Sequence, residues 1–365
     1  EQIVVPFCWE SLAAWGEADA AGNDHYYSNR VFRDPSAVTS KNHRSAERYE
    51  VGWYRRSVTI PTGEAWLDKQ VILTVGAADF ATDCWCNGVY LGRHEGGYVP
   101  FEFDLTDALI QDKSGEYSAF IVFRVEDPMD NRYQPVGKQW SWYTTTSGIW
   151  QTVLIEPRSV VHIGPFRLIP DIDQSRLDLS VQCAGPITGH LITMEILTPE
   201  AQGSQISIPW LSQDSNIAFK LIVIDPMILW DPDHPYLYPI VLRVFNPDGI
   251  MIDEVRSYFG MRKIGTAPAE ILNGPCALSF NNRPIYLRGA LYPSYHPDGV
   301  YTAGDVSTIR NDLAFARKAG FDFLRIHIKL DDPLVLYYAD TLGIMIMQDF
   351  PNFGEGGDTP PMALR

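Results

Sequence analysis

The sequence predicts a multidomain chain of 365 residues: a jelly-roll-type β-sandwich over 1–157, an immunoglobulin-like β-sandwich over 158–264, and the first three βα units of a TIM (β/α)8 barrel over 265–365. Three observations predict this. Up to about residue 264, short runs alternate apolar and polar residues with Gly, Pro and Asp between them, the rhythm of half-buried strands. Asn87-Gly88 separates two such runs, and a tight primed hairpin turn needs the positive φ that this pair tolerates. Beyond the second region, strand-like runs alternate with segments of helical period, which is the pattern of a parallel sheet covered by helices.

In the first region the strands are WYRRSVTIP (53–61), QVILTVGAA (70–78), DCWCNGVYLGRH (83–94), SAFIVFRVED (118–127) and GIWQTVLIE (148–156). Residues 10–48 are polar and irregular and read as a long loop, and the glycines of HEGGYVPF read as a bulge or turn. RLDLSVQCAG, HLITMEILTP, NIAFKLIVID, YPIVLRVFN and DEVRSYFGMRKI make the second region. About one hundred residues at this spacing suit an immunoglobulin-like sandwich, although no Cys…Trp…Cys pattern makes it an antibody-type domain.

A PAEILNG linker leads to a strand in PIYLRGALY (284–292). Asp305 can cap a helix that carries Val306, Ile309, Leu313 and Ala316 on one face and stops at Gly320. FDFLRIHIK (321–329) is the next strand. Asp332 and Pro333 start a second helix that ends at Gly343, and IMIMQDFPN is the third strand. Along FDFLRIHIK, Leu324, Ile326 and Ile328 share one face, with Phe323, Arg325 and His327 on the other. Helices on a parallel sheet predict that both faces are buried. An Arg and a His there must then be satisfied internally, either in a site at the carboxyl ends of the strands or in a structural salt bridge that plugs the barrel.

The net charge of −16 and the lack of any basic run exclude nucleic acid as an expected partner. Aromatic residues are 12% of the chain, which suits sandwich cores and sugar-stacking surfaces alike. Cys8, Cys84, Cys86, Cys183 and Cys276 are scattered, and the Cys84/Cys86 pair reads as small core residues rather than ligands, so no metal and no cofactor is implied. No membrane segment is expected, because the longest apolar stretch, LIVIDPMILW, is broken by Asp225 and Pro226. The chain starts at Glu1 without a signal-like segment, which leaves its location unknown.

The order of these fragments resembles glycoside hydrolase family 2, which includes β-galactosidases, β-glucuronidases and β-mannosidases. The resemblance rests on VPFCWES, WYRRSVTIP, DCWCNGVYLGRHEGGYVPFEFDLT, QPVGKQ, SGIWQTVLIE, YLRGALY and the stretch 321–352, and it spans nearly the whole chain. It implies a sugar-binding-like first domain and a retaining exo-glycosidase acting on β-linked sugars, most similar to β-galactosidases. Where the family has Arg followed by His-Tyr-Pro, Arg325 matches, but Ile328, Lys329 and Leu330 replace the triplet and His327 stands one residue earlier.

Retaining chemistry needs two carboxylates roughly 5–5.5 Å apart. The resemblance puts both on later barrel strands, so no catalytic residue is expected in this chain, and Glu355 reads as a solvated loop residue. An unpaired third strand would be an association hazard, so the rest of the same polypeptide or a partner chain is expected to complete the barrel, with a homo-oligomer left open. For binding the carbohydrate substrate, Arg325 and Asp349 lead, followed by His327 and Asn352, then Tyr292 and His296, with Trp142 and Tyr143 as stacking residues from the first domain. The competing functions are a non-catalytic carbohydrate-binding or scaffolding protein and one subunit of a split glycosidase.

Overall fold

The computed structural model describes residues 3–11, 50–113, 115–128, 135, 137–138, 146–198, 205–211, 216–267 and 277–351. The PAEILNG segment, the loop 12–48 and the candidates Trp142, Tyr143, Asn352 and Glu355 lie outside them.

The first region is a two-layer antiparallel β unit. Val51–Ile60, Tyr117–Glu126, Ala81–Cys86 and Val89–Glu95 pair in that order, and Ile110–Gln111 adds to Tyr117–Glu126. The second layer is Val153–Arg158, Gln70–Val75 and Phe101–Asp104. Alternate residues from both layers, among them Leu73, Val75, Cys84, Cys86, Phe103 and Phe123, fill one core. Cys84 and Cys86 are fully buried there, as small core residues should be. Asn87 and Gly88 have φ of 48° and 84°, so the hairpin turn is of the primed kind. Asn87 also accepts from the Phe120 N–H and donates to the carbonyls of Ala108 and Ser118, which ties the turn to the sheet.

In the second region a three-stranded sheet (His162–Asp171, Arg176–Ala184, Ile217–Val223) faces a four-stranded one (Gln205–Ile208, Leu191–Ile196, Tyr238–Phe245, Met251–Phe259). Leu177, Leu179, Ile192, Met194, Leu242 and Val244 are buried between them. The strand His162–Asp171 was not expected. Gly164, Pro165 and Pro170 break its alternation, but it is an edge strand with a bulge between Ile163 and Phe166, where missing backbone donors are tolerated. On either side of the PAEILNG segment, Ile264–Ala267 pairs antiparallel with Ala277–Phe280.

The third region is a parallel sheet of β1 (Gly289–Tyr292), β2 (Phe323–Ile326) and β3 (Met345–Gln348), crossed by helix α1 (Val306–Lys318) and helix α2 (Pro333–Leu342). The caps read from sequence are in place: Asp305 accepts from Ser307 N–H at 2.6 Å and Asp332 from Leu334 N–H at 2.9 Å. On α1, Ile309 and Leu313 are buried but Val306, at the first turn, is exposed. Leu324 and Ile326 pack with Val335, Ala339 and Ile344 under the helices. The expectation that both faces are buried holds for this side alone. On the other side lies the register row Leu291–Arg325–Met347, with Leu291 51% and Met347 47% exposed among the described residues.

The third region is locked to both sandwiches. Asp340 of α2 accepts from Arg262 at 2.6 Å and Tyr258 at 3.1 Å, and its carbonyl accepts from the fully buried Trp230 indole. On the other side, Trp150 of the first region packs with Val300, Tyr301 and Cys8. Among the described residues, no helix is long and apolar enough to cross a membrane.

Candidate functional site

The carboxyl ends of β1 and β2 meet the first sandwich, and the chain there leaves ordinary backbone conformations. Ser294, Val300 and Ile328 have φ of 47°, 59° and 49°. Left-handed backbone is unfavourable for any residue with a Cβ and most so for β-branched Val and Ile, so the surrounding packing must impose it. The predicted strand FDFLRIHIK therefore stops at Ile326, and Ile328 turns inward at 8% exposure.

What that turn delivers is Lys329. Its amine is fully buried and donates to the Ser294 carbonyl (3.0 Å), the Ser294 hydroxyl (3.1 Å), the Tyr301 carbonyl (2.7 Å) and Asp331 Oδ1 (2.9 Å). It also lies 5.1 Å from the Tyr301 ring centroid and 5.4 Å from that of Trp150. The Asp331 side chain is itself only 2% exposed. The amine thus has a carboxylate partner and acceptors on every side, the company that a buried polar group requires.

Beside it stands a second buried lysine, Lys138, from the QPVGKQ stretch, whose amine donates to the backbone carbonyl of His327. Burial, then the neighbouring Lys329 charge, push its pKa down to about 7, against an opposing pull from Asp331 and Asp349. The folded protein therefore releases this proton near neutrality, whereas the unfolded chain holds it to the ordinary lysine range. Between about 7 and 10.5 the unfolded state binds more protons, so this group makes stability rise with pH across that window. Urea unfolding at pH 7, 8 and 9 is expected to show that rise, and Lys138→Met is expected to flatten it. An identical slope in both proteins would refute the assignment.

Toward the open face, Arg325 clasps Asp349 with Nε to Oδ1 at 3.0 Å and Nη2 to Oδ2 at 2.7 Å. The guanidinium holds the Asp349 carboxyl below its usual range, helped by the Ile328 N–H at 3.4 Å. This pair is the salt bridge that the sequence left as an alternative to a site, and the Arg325 side chain is 44% exposed on the face of the three described strands. His327 is half-buried, and burial followed by the Lys138 and Arg325 charges lowers its pKa and favours the neutral imidazole. Its backbone N–H donates to Tyr292 O at 3.0 Å, which continues the β1–β2 pairing past the strand ends.

Thus the structure brings Arg325, Asp349 and His327 together at one end of the sheet. Tyr292 faces the helices instead, and His296 stands within reach of the buried Lys329–Asp331 pair. Tyr292 lies in the helix-facing row with Ile326 and packs into the core beneath α1 and α2, where burial raises its phenol pKa. His296 is buried, and burial with the Lys329 charge lowers its pKa. Sequence reasoning missed Lys138, Lys329 and Asp331. The signal for Lys329 was present, since it occupies one of the substituted triplet positions, and a charged residue in so apolar a run calls for a partner.

Residues 2–157 match the family model described as glycosyl hydrolases family 2, sugar binding domain, and residues 161–262 match glycosyl hydrolases family 2. A β-galactosidase of Thermoanaerobacter pseudethanolicus is 23% identical over 315 residues, covering 84% of this chain and 40% of the relative. A putative β-glucuronidase of Formosa agariphila is 25% identical over 304 residues, covering 82% and 35%. The solved β-glucuronidase of Parabacteroides merdae superposes with a TM-score of 0.69 at 18% identity, over 86% of this chain and 39% of that one. The chain thus spans less than half the length of the proteins it matches.

Proposed function

Because the chain belongs to glycosyl hydrolase family 2, we propose that it supplies the amino-terminal portion of a retaining exo-glycosidase that hydrolyses O-glycosidic bonds of β-linked sugars. Its domains are then a jelly-roll domain over 1–157, an immunoglobulin-like domain over 158–264 and the start of a (β/α)8 barrel from 265. The observation that carries this reading is the Arg325–Asp349 clasp at the carboxyl ends of adjacent parallel strands, with the first sandwich reaching the same end through Lys138.

In this reading Arg325 and Asp349 present fixed donors and acceptors to sugar hydroxyls. Asp349 fixes the plane of the guanidinium through Nε and Nη2, so Nη1 is the nitrogen left to meet a substrate. The lowered pKa of His327 favours the neutral imidazole, which would meet a sugar hydroxyl through Nε2, since Nδ1 is buried. The reaction itself needs a carboxylate pair, which the family resemblance assigns to later barrel strands.

The test uses protein expressed from the complete reading frame and assayed on p-nitrophenyl β-galactoside and β-glucuronide. Turnover of one of them is expected, with Arg325→Ala lowering kcat/KM about 10–100-fold, the loss of a hydrogen bond to a charged group. An unchanged kcat/KM would remove Arg325 from the site. Glycan binding without any turnover would favour the non-catalytic alternative.

A further inference from the structure

The outer face of the larger sheet in the first sandwich carries aromatic rings where a solvated face calls for polar residues. Trp53 is 63% and Tyr90 52% exposed. Trp53 stacks on Trp85 with centroids 5.7 Å apart and 28° between planes, and Trp85 meets Tyr90 at 5.3 Å. Strand register sets this line: Trp85 lies opposite Tyr90 and Val122, and Trp53 lies opposite Arg124 on the adjoining rung. The opposite faces of these strands already fill the core through Tyr54, Cys84, Cys86 and Phe123. Core packing therefore does not account for the rings.

A row of charged side chains borders them on the same face. Asp83 accepts from Arg93 at 2.8 Å and from the Tyr90 hydroxyl at 3.0 Å, and it lies 3.5 Å from Arg124, which pairs with Glu126 at 2.7 Å. Arg93 also pairs with Glu95 at 3.2 Å, and Arg55 is exposed two residues along from Trp53 on the same face. With Arg93, Arg124 and Arg55 against Asp83, Glu126 and Glu95, the patch has little net field to attract a polyanion or a basic peptide.

We propose that this face, Trp53–Trp85–Tyr90 with the Arg93–Asp83–Arg124 row, binds a neutral polysaccharide at a site separate from the carboxyl end of the parallel sheet. Ring faces stack on the C–H faces of sugar units, and side chains already locked in one geometry offer hydrogen bonds to hydroxyls at small entropic cost. The rings alone fall short of a dimer interface. A fully buried aromatic contributes about 150–250 Å², and the exposed parts of three cannot approach the roughly 800 Å² per partner that a stable interface uses.

Affinity electrophoresis of the full chain in native gels cast with barley β-glucan, xyloglucan or galactan tests the proposal. Retardation by at least one of these polymers is expected, unchanged between low and high salt. Trp53→Ala should weaken it about tenfold, whereas Trp53→Phe, which keeps a ring, should retain most of it. Neither variant should alter hydrolysis of the aryl β-glycosides, so failure here is separable from failure of the proposed activity. The proposal is overturned by migration unaffected by all three polymers, by equal retardation of Trp53→Ala, or by Trp53-dependent dimerisation in sedimentation without retardation.

Discussion

Lys329→Ala is expected to destabilise the protein by about 3–5 kcal/mol, the cost of breaking a buried ion pair by deleting one partner. The magnitude follows from what the substitution leaves behind. Asp331 would keep a carboxylate that is 2% exposed but lose its cation, and the carbonyls of Ser294 and Tyr301 would lose a donor. The apolar part of the loss is smaller, because the stem can be replaced by another unbranched chain. Lys329→Met combined with Asp331→Asn removes both charges and keeps most of the volume, and it should recover more than half of the loss. Equilibrium urea unfolding of the three proteins measures both effects. A single-variant loss under 1 kcal/mol would mean that the buried cluster does not hold the β1 and β2 ends against the first sandwich.

The second large effect is expected at Gly343, the residue that ends α2 at φ +77°. An added Cβ there would sit 2.1 Å from the Pro232 carbonyl oxygen, a backbone atom that cannot swing aside. Gly343→Ala therefore combines left-handed strain with a steric overlap at the junction of α2 and the second sandwich, and about 3 kcal/mol of destabilisation is expected. Gly88→Ala is the control. Its φ is +84° but a Cβ would meet nothing within 4 Å, so only the conformational cost of about 1 kcal/mol should appear. Similar losses at both positions would show that the Pro232 contact contributes nothing.

Much of the local structure was legible in the sequence, for reasons that individual residues make plain. Asn87-Gly88 required positive φ, Asp332-Pro333 required a helix start, and Gly343 required a stop; each is a constraint that the chain satisfies with its nearest neighbours. The candidate site was legible only in part. Arg325 and Asp349 stand on adjacent strands, and reading those strands as parallel was enough to bring their ends together. Tyr292 was a candidate from its place after the first strand, and only the register shows that it shares the helix-facing row with Ile326, because alternation alone does not phase strand ends. Lys138 and Lys329 meet 191 positions apart in sequence, across the boundary of two domains, and no periodicity reports such a distance.

By itself, then, the sequence determined the kinds of element, their order and their caps, because period, turn chemistry and propensity act over a few residues. The tertiary structure alone decided that Arg325 is clasped by Asp349, and that a buried lysine from the first sandwich grips the backbone of His327. Those outcomes depend on which distant surfaces exclude water from which charges, and that exclusion exists only once the domains have packed.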